Sequence, residues 1–344
     1  MTYIVRRLLL LIPVLIGVTI LTFVITRAAG DPTLSYLQNP DRASPQAIEE
    51  IREKYHLDEP IYIQYVYWVN GLLHGDLGYT HSANNLPVTT AIAMKFPATF
   101  ELAIVSTFLS VLGGIYLGTI SAVRANSPLD QSTRVLSLTA VSIPVFWLGL
   151  ILLMVFYNQL GWLPGPTGRY DAVQYSLEDL HPIIGFRTNF LLVDTVLSGN
   201  AAFFWDVVLH LVLPGITLAF ASTAIIIRMM RSSMLEVLNA EYVRTARSKG
   251  LPESVVIKKH ARRNALIPTT TVIGLSFGGL LGGAVLTETV FNWPGLGQWA
   301  ANAARSLDTA GILGFTLLTA LIYVLANLVV DIVYAYLDPR VRLG

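Results

Sequence analysis

The stretch Arg228–Arg263, RMMRSSMLEVLNAEYVRTARSKGLPESVVIKKHARR, separates two apolar runs, each long enough to cross a bilayer. It sets nine Lys/Arg, at 228, 231, 244, 247, 249, 258, 259, 262 and 263, against three acids, at 236, 241 and 253. Loops on the cytoplasmic side of a membrane collect Lys and Arg, so this loop is expected to face the cytoplasm. Within it, Tyr242 to Lys249 is free of Gly and Pro and predicts a short helix, which Gly250 followed by Leu251-Pro252 would stop and turn.

Outward from that loop, the composition is that of an integral membrane protein. The 344 residues are 53% apolar and 13% charged, with mean hydropathy +0.58. A formal net charge of +1 argues against a nucleic-acid partner. The absence of cysteine removes disulfides, thiolate metal sites and cysteine nucleophiles. Charged residues fence six uncharged segments: Leu8 to Thr26, Leu102 to Val123, Val135 to about Leu160, Val207 to Ile227, Asn264 to Thr287, and Thr309 to Val330. A spanning helix needs about 20 apolar residues. The expected fold is therefore all-α, with six transmembrane helices. The turn Gly-Trp-Leu-Pro-Gly-Pro at 161–166 places the end of the third.

Charge sidedness sets the orientation. Arg6, Arg7, Arg124, Arg134, the nine loop cations, Arg340 and Arg342 give 15 on one side of these helices, against 8 on the other. Both termini are then cytoplasmic, and the chain is a multi-pass membrane protein. A cleaved signal peptide is the alternative for the first 29 residues. The long apolar run, and Arg27 inside the would-be cleavage site, favour a retained helix.

Three regions follow: an N-terminal transmembrane helix (1–29), an extracytoplasmic segment (30–97) and a transmembrane core (98–344) with the basic loop at 228–263. In the outer segment, Ser44 as N-cap and Pro45 at the first helical position predict a helix through AIEEIREKYHL. The aromatic stretch IYIQYVYWVNGLLHGDLGY, 61–79, suits a membrane interface. It reads either as an amphipathic lid or as a docking surface for an external partner. The loop 161–206 is polar and punctuated by Gly and Pro.

Chemistry is largely missing. No GxxxxGK[ST] and no Gly-Lys dipeptide occurs, so any use of ATP needs another subunit. The six histidines are scattered, and no metal site is expected. Gly274-Leu-Ser276-Phe-Gly278 fits the GxSxG nucleophile pattern, but that motif needs a strained strand-to-helix turn and this one sits inside an apolar span. Gly274, Gly278 and Gly282 recur every four residues and read instead as a smooth helix-packing face. Asn327 and Asp331, one turn apart near the inner end of the last span, read as structural.

Tyr242-Val-Arg-Thr-Ala-Arg-Ser-Lys-Gly250, followed by His260-Ala-Arg-Arg-Asn-Ala-Leu-Ile-Pro268, resembles the cytoplasmic loop of ABC-importer permeases of the dipeptide/oligopeptide group. The likeness runs through the whole chain. It includes Gly30-Asp31-Pro32, HGDLG at 74–78, Pro97-Ala-Thr-Phe-Glu-Leu102, Ile143-Pro-Val-Phe-Trp147, Val-Ile-Gly at 272–274 and Leu286-Thr-Glu-Thr-Val-Phe-Asn-Trp-Pro-Gly-Leu-Gly297. It is nearest to permeases whose long outer segment separates helices one and two. The broad importer signature has Glu-Ala-Ala where this chain has Arg244-Thr245-Ala246.

The resemblance implies a transport subunit without covalent chemistry or a cofactor of its own. It implies a second homologous permease, two ABC ATPases holding ATP and Mg²⁺, and an extracytoplasmic peptide-binding protein. The short helix would seat in an ATPase cleft, with Ala246 and Gly250 permitting close approach and Tyr242, Arg244, Thr245, Arg247 and Lys249 completing the contact. Read without the resemblance, the same basic loop equally suits contact with anionic membrane lipid. Relatives in the group also carry nickel or glutathione.

Trp293-Pro294-Gly295 cannot continue a helix, so the chain must turn there, outside the membrane. A turn carrying Phe291, Trp293 and Leu296 either gates the outer end of a pathway or anchors at lipid headgroups, and the gate is the reading taken for Phe291, Trp293, Pro294 and Gly295. The rival classes are an ion-coupled secondary transporter, for which no clear internal repeat is seen, and an intramembrane hydrolase using Ser276.

Overall fold

The computed structural model describes residues 2–29, 33, 36, 37, 43–181, 183 and 185–337. Gly30-Asp31-Pro32, Arg340 and Arg342 lie outside the described residues, as do the side chains of Arg6, Arg7 and Asp331 and the surroundings of Gly282. The described chain is mainly helical, with one two-stranded antiparallel ribbon in which β1 (Tyr79–Thr80) pairs with β2 (Leu86–Pro87).

In chain order the helices are α1 (Thr2–Ala29), α2 (Pro45–Lys54), α3 (Ile61–Leu73), α4 (Val88–Val123), α5 (Pro128–Ser142) and α6 (Val145–Leu152). A π-helical stretch, Leu153–Gln159, extends α6. They continue with α7 (Leu191–Leu197), α8 (Ala201–Leu238), α9 (Glu241–Ser248), α10 (Glu253–Val255), α11 (Arg262–Gly283), α12 (Val285–Val290), α13 (Leu296–Arg305) and α14 (Thr309–Leu337). Each of the six apolar segments read from the sequence falls in one of these helices or helix pairs. Among the described residues, α4, α8 and α14 are long and apolar enough to cross a membrane, and α5 with α6 would make a fourth span if counted as one.

That pair departs from the single run expected from Val135 to about Leu160. α5 and α6 are bent by 105° at Ile143-Pro144. Proline lacks the N–H that would continue the helix, and it pushes the residue before it out of the helical region; Ile143 is extended, at φ −81°, ψ 126°. The basic stretch departs too. No breaker occurs between Arg228 and Leu238, so α8 simply continues through it, and α9 to α11 make most of the remainder helical.

Local signals account for several helix starts. The Ser44 hydroxyl accepts from the Ala47 N–H at 3.2 Å above Pro45, and Ser127 does the same for Asp130 above Pro128. The Asn200 side chain caps α8 by accepting from the Phe203 N–H at 3.0 Å.

The centre of the bundle is the pair α4 and α8. Ser106, Ser110, Gly114 and Gly118 repeat every four residues on α4 and are all buried. The Ser110 hydroxyl reaches the Ala219 carbonyl at 3.1 Å. Gly114 faces Ile226, and a Cβ at Gly118 would stand 2.7 Å from the Met230 Cβ. Later residues of α4 meet later residues of α8, so the two helices run parallel, and the chain between them must return to its starting level. α11 runs against α8: Thr269 lies 3.6 Å from the Met230 sulfur, while Leu280 shares a core cluster with Leu211 and Leu218.

The connecting segments gather by end. At one end, Asp308 accepts from Thr80 at 2.6 Å and from the Ser82 N–H at 3.0 Å, and Glu101 holds Arg169 at 2.6 Å and the Leu192 N–H at 2.7 Å. The Trp293 indole donates to the Ala98 carbonyl at 2.9 Å at the same end. The turn 124–127 and residues 239–261 lie at the opposite end, where Arg231 of α8 bonds Asp130 of α5.

Candidate functional site

Two features carry the chemistry that the sequence singles out, one at each end of the bundle. The first is α9. Its Val243 and Ala246 are buried and pack with Val256 and Val237, an arrangement set by their three-residue spacing on one helix face. The other face is open: Tyr242, Arg244, Thr245, Arg247, Lys249 and Gly250 are all exposed. Six of the seven residues expected at a docking surface thus share an outward position, while Ala246 is turned into the chain's own core.

The exposed face is organised by short ion pairs. Arg244 holds Glu241 at 2.9 Å. Arg247 grips Glu253 through two bonds, at 2.8 and 3.2 Å, and also reaches the Leu238 carbonyl at 3.4 Å. That fork holds the Glu253 carboxyl below its ordinary value. Gly250 sits at φ +73°, with the Gly250 N–H bonded to the Arg247 carbonyl at 2.9 Å. A left-handed residue here stops the helix, as a glycine after it predicts. Lys258 and Lys259 before α11, and Arg262 and Arg263 at its start, stand exposed.

The second feature is the turn between α12 and α13. Phe291 and Trp293 are buried, Trp293 completely, rather than projecting from the surface. The guanidinium of Arg169 lies 6.0 Å above the Trp293 ring. Beneath the turn, the Glu288 carboxylate accepts from the Thr99 hydroxyl at 2.6 Å and from the Gln298 N–H at 2.9 Å. Thr99 in turn accepts from the Leu296 N–H at 2.7 Å. Together they satisfy the free N–H groups at the start of α13, where the helix dipole favours negative charge. Gly295 is required by this arrangement, since a Cβ there would stand 2.5 Å from both the Glu288 and the Thr99 oxygens. Burial nonetheless pushes the Glu288 carboxyl up to about 7, against the pull of those hydrogen bonds and of Lys95.

Between the two ends, α4, α11 and α14 enclose an apolar groove of about 450 Å³. Phe96, Phe100 and Phe277 line it, Gly274 opens into it, and the Thr107 hydroxyl beside it has no hydrogen-bond partner among the described residues. Gly278 faces α14, 3.2 Å from Tyr323 measured to a Cβ. Ser276 lies inside the unbroken helix α11. Asn327 is half-buried on α14.

The buried acids Glu101, Asp130, Glu288 and Asp308 escaped the sequence reading, because each has a partner 68 to 228 residues away that only the fold brings to it. The small-residue stripe on α4 did carry a signal, the same four-residue spacing noticed on α11.

Residues 114–343 match the family described as binding-protein-dependent transport system inner membrane component. Residues 1–103 match the companion N-terminal family of such membrane components. Over 335 residues, 97% of this chain and 95% of the relative, it is 44% identical to the probable D,D-dipeptide transport system permease protein DdpB of Escherichia coli K12. It is 44% identical over 343 residues, 99% of each chain, to the dipeptide transport system permease protein DppB of Alkalihalophilus pseudofirmus. The oligopeptide transport system permease protein AppB of Bacillus subtilis is 39% identical over 341 residues, again 99% of each. With family matches covering both the core and the N-terminal region, the chain belongs to the inner-membrane components of binding-protein-dependent transport systems.

Proposed function

We propose that this chain is the permease subunit of an ATP-driven ABC importer that moves dipeptides or short oligopeptides into the cytoplasm. The observation that carries the reading is its likeness, over nearly the whole length, to proteins named for dipeptide and oligopeptide transport. The relatives' names bear on substrate class.

In this reading the chain crosses the membrane six times, through α1, α4, the bent pair α5–α6, α8, α11 and α14, with both termini in the cytoplasm. The parallel course of α4 and α8 supports it, since two parallel spans need a return crossing between them. The positively charged end is the cytoplasmic one. The opposite end, carrying the ribbon, the 161–200 loop and the α12–α13 turn, faces outward and receives peptide from an extracytoplasmic binding protein. A second permease supplies the other wall of the path, and the groove among α4, α11 and α14 is this chain's contribution to it.

The exposed face of α9 docks on one of two ATPase subunits, which hold the ATP and Mg²⁺. Packing by Val243 and Ala246 makes α9 a rigid extension of the bundle, so closure of the ATPases is passed to the membrane helices as a rigid-body movement. At the outer end, the Trp293 turn closes the path by moving with α4 through its bond to Ala98.

The test is uptake of a labelled dipeptide into vesicles holding the whole complex, with ATP and with ion gradients varied separately. ATP-dependent uptake indifferent to gradients is expected. Gradient-driven uptake without the ATPases would instead make this a secondary transporter.

A further inference from the structure

A small polar pocket of about 160 Å³ opens beside the ribbon, between the start of α4 and α13. Counting about 30 Å³ per water, it holds roughly five waters, or the end of one small residue. Lys95 of α4 lines it, with Asn84 from the ribbon turn, Asn302 from α13, and Met94 and Trp299 as apolar wall.

Lys95 is half-buried and makes no direct ion pair or hydrogen bond among the described residues; Glu288 lies near enough to act on its charge without touching it. The two acids nearest this region are already committed. Glu288 has its oxygens engaged by Thr99 and the Gln298 N–H, and Asp308 has its own engaged by Thr80, Ser82 and the Gly311 N–H. The Asn84 and Asn302 side chains make no hydrogen bond in the described structure, although Gln298 beside them is occupied by Asn292 at 2.8 Å. A partly desolvated ammonium flanked by two free amides is a donor set looking for an anion with two oxygens, and the apolar wall beside it admits a short side chain.

We propose that this pocket binds the C-terminal carboxylate of the transported peptide at the outer mouth of the permease, with Lys95 as the charge partner and Asn84 and Asn302 as donors. The proposal rests on the peptide-importer reading and adds a site to it. It makes a free carboxyl end, rather than side-chain identity, the feature recognised on entry. An amidated peptide would fill the same space without meeting the ammonium.

The test has two arms in the intact complex. In the first, Lys95 is modified with an amine-reactive reagent, with and without dialanine or dialanine amide, and labelling is read by mass spectrometry. Dialanine should protect Lys95 and the amide should not; equal labelling in all three conditions overturns the proposal, whatever the transport result. In the second arm, Lys95→Met and Lys95→Arg are compared for ATP-driven uptake of both compounds. A lost charged hydrogen bond weakens binding about tenfold or more. Lys95→Met should therefore reduce dialanine uptake about tenfold, leave that of the amide unchanged, and be rescued by Lys95→Arg. Equal loss of both compounds, or of neither, contradicts the site. Absence of ATP-driven uptake in the unaltered complex contradicts the importer reading alone, and the labelling arm still decides the pocket.

Discussion

The Asp130 carboxylate receives both arms of the Arg231 guanidinium, at 2.6 and 2.8 Å, from a helix 101 residues further along the chain. The Ser121 hydroxyl and the Asn126 N–H complete its shell at 2.5 and 2.9 Å. One buried acid thus locks the α4–α5 corner to the C-terminal part of α8, close to the helix that carries the proposed docking face.

Removing one member of a buried pair strands the other, which costs roughly 3 to 5 kcal/mol when both are fully buried. Arg231 keeps 22% of its side-chain surface in contact with solvent, so the low end of that range applies. Asp130→Asn should lower the melting temperature of the purified chain by several degrees. Asp130→Asn with Arg231→Met should recover part of the loss. An unchanged melt in the single variant would show that the corner is held by something else.

Glu288 makes stability depend on pH at the α12–α13 turn. Its carboxyl is raised from 4.5 to about 7 by burial, so folding favours the protonated form. Its contribution is fully present below about 4.5 and is lost as pH rises through about 7. Melting measured across that window should fall more steeply for the native chain than for Glu288→Gln, which cannot ionise. Parallel curves would contradict this account of the α13 cap.

The close approach of α4 and α8 predicts a sharp contrast between glycines. A side chain at Gly118 would meet the Met230 Cβ at 2.7 Å and the Ile227 carbonyl at 2.9 Å, the second of which is backbone and cannot swing aside. Gly118→Val should cost about 1 to 3 kcal/mol through overpacking. Gly279→Ala, with nothing within 4 Å, should be neutral or slightly stabilising. The pair is compared by yield of folded protein and by thermal melting.

Ser276→Ala separates transport from hydrolysis. Ser276 sits inside a continuous helix without the exposed turn a nucleophile needs. Uptake by the variant should match that of the native complex. Loss of activity would revive the hydrolase reading.

The features legible in the sequence were those with a local cause. Charge spacing located the apolar helices, Ser44 with Pro45 located α2, and the breaker-free run ending at Gly250 located α9. The bend at Pro144 was legible in principle, because Ile143-Pro144 lies in mid-segment, but hydropathy alone reads straight through it. α13 went unread: LGQWAANAAR follows the Trp-Pro-Gly turn so closely that turn signals mask it, and its cap comes from Glu288 and Thr99 rather than from a neighbouring Ser or Asp. The inward position of Ala246 depended on Val256, which only the fold brings beneath it.

The central claim is that ATP-driven peptide movement passes through α9. Gly250→Asp places a side chain and a charge on the exposed face proposed for docking; nothing within 4 Å would be struck, and the strain of a side chain at φ +73° is what the melting control reads. Dipeptide uptake and ATP hydrolysis should be measured together in the reconstituted complex, native and Gly250→Asp, after confirming that both chains melt alike. The account predicts ATP-dependent uptake in the native complex and its loss in the variant, with hydrolysis no longer stimulated by the peptide-loaded binding protein. Undiminished ATP-driven uptake by a folded Gly250→Asp complex would contradict it.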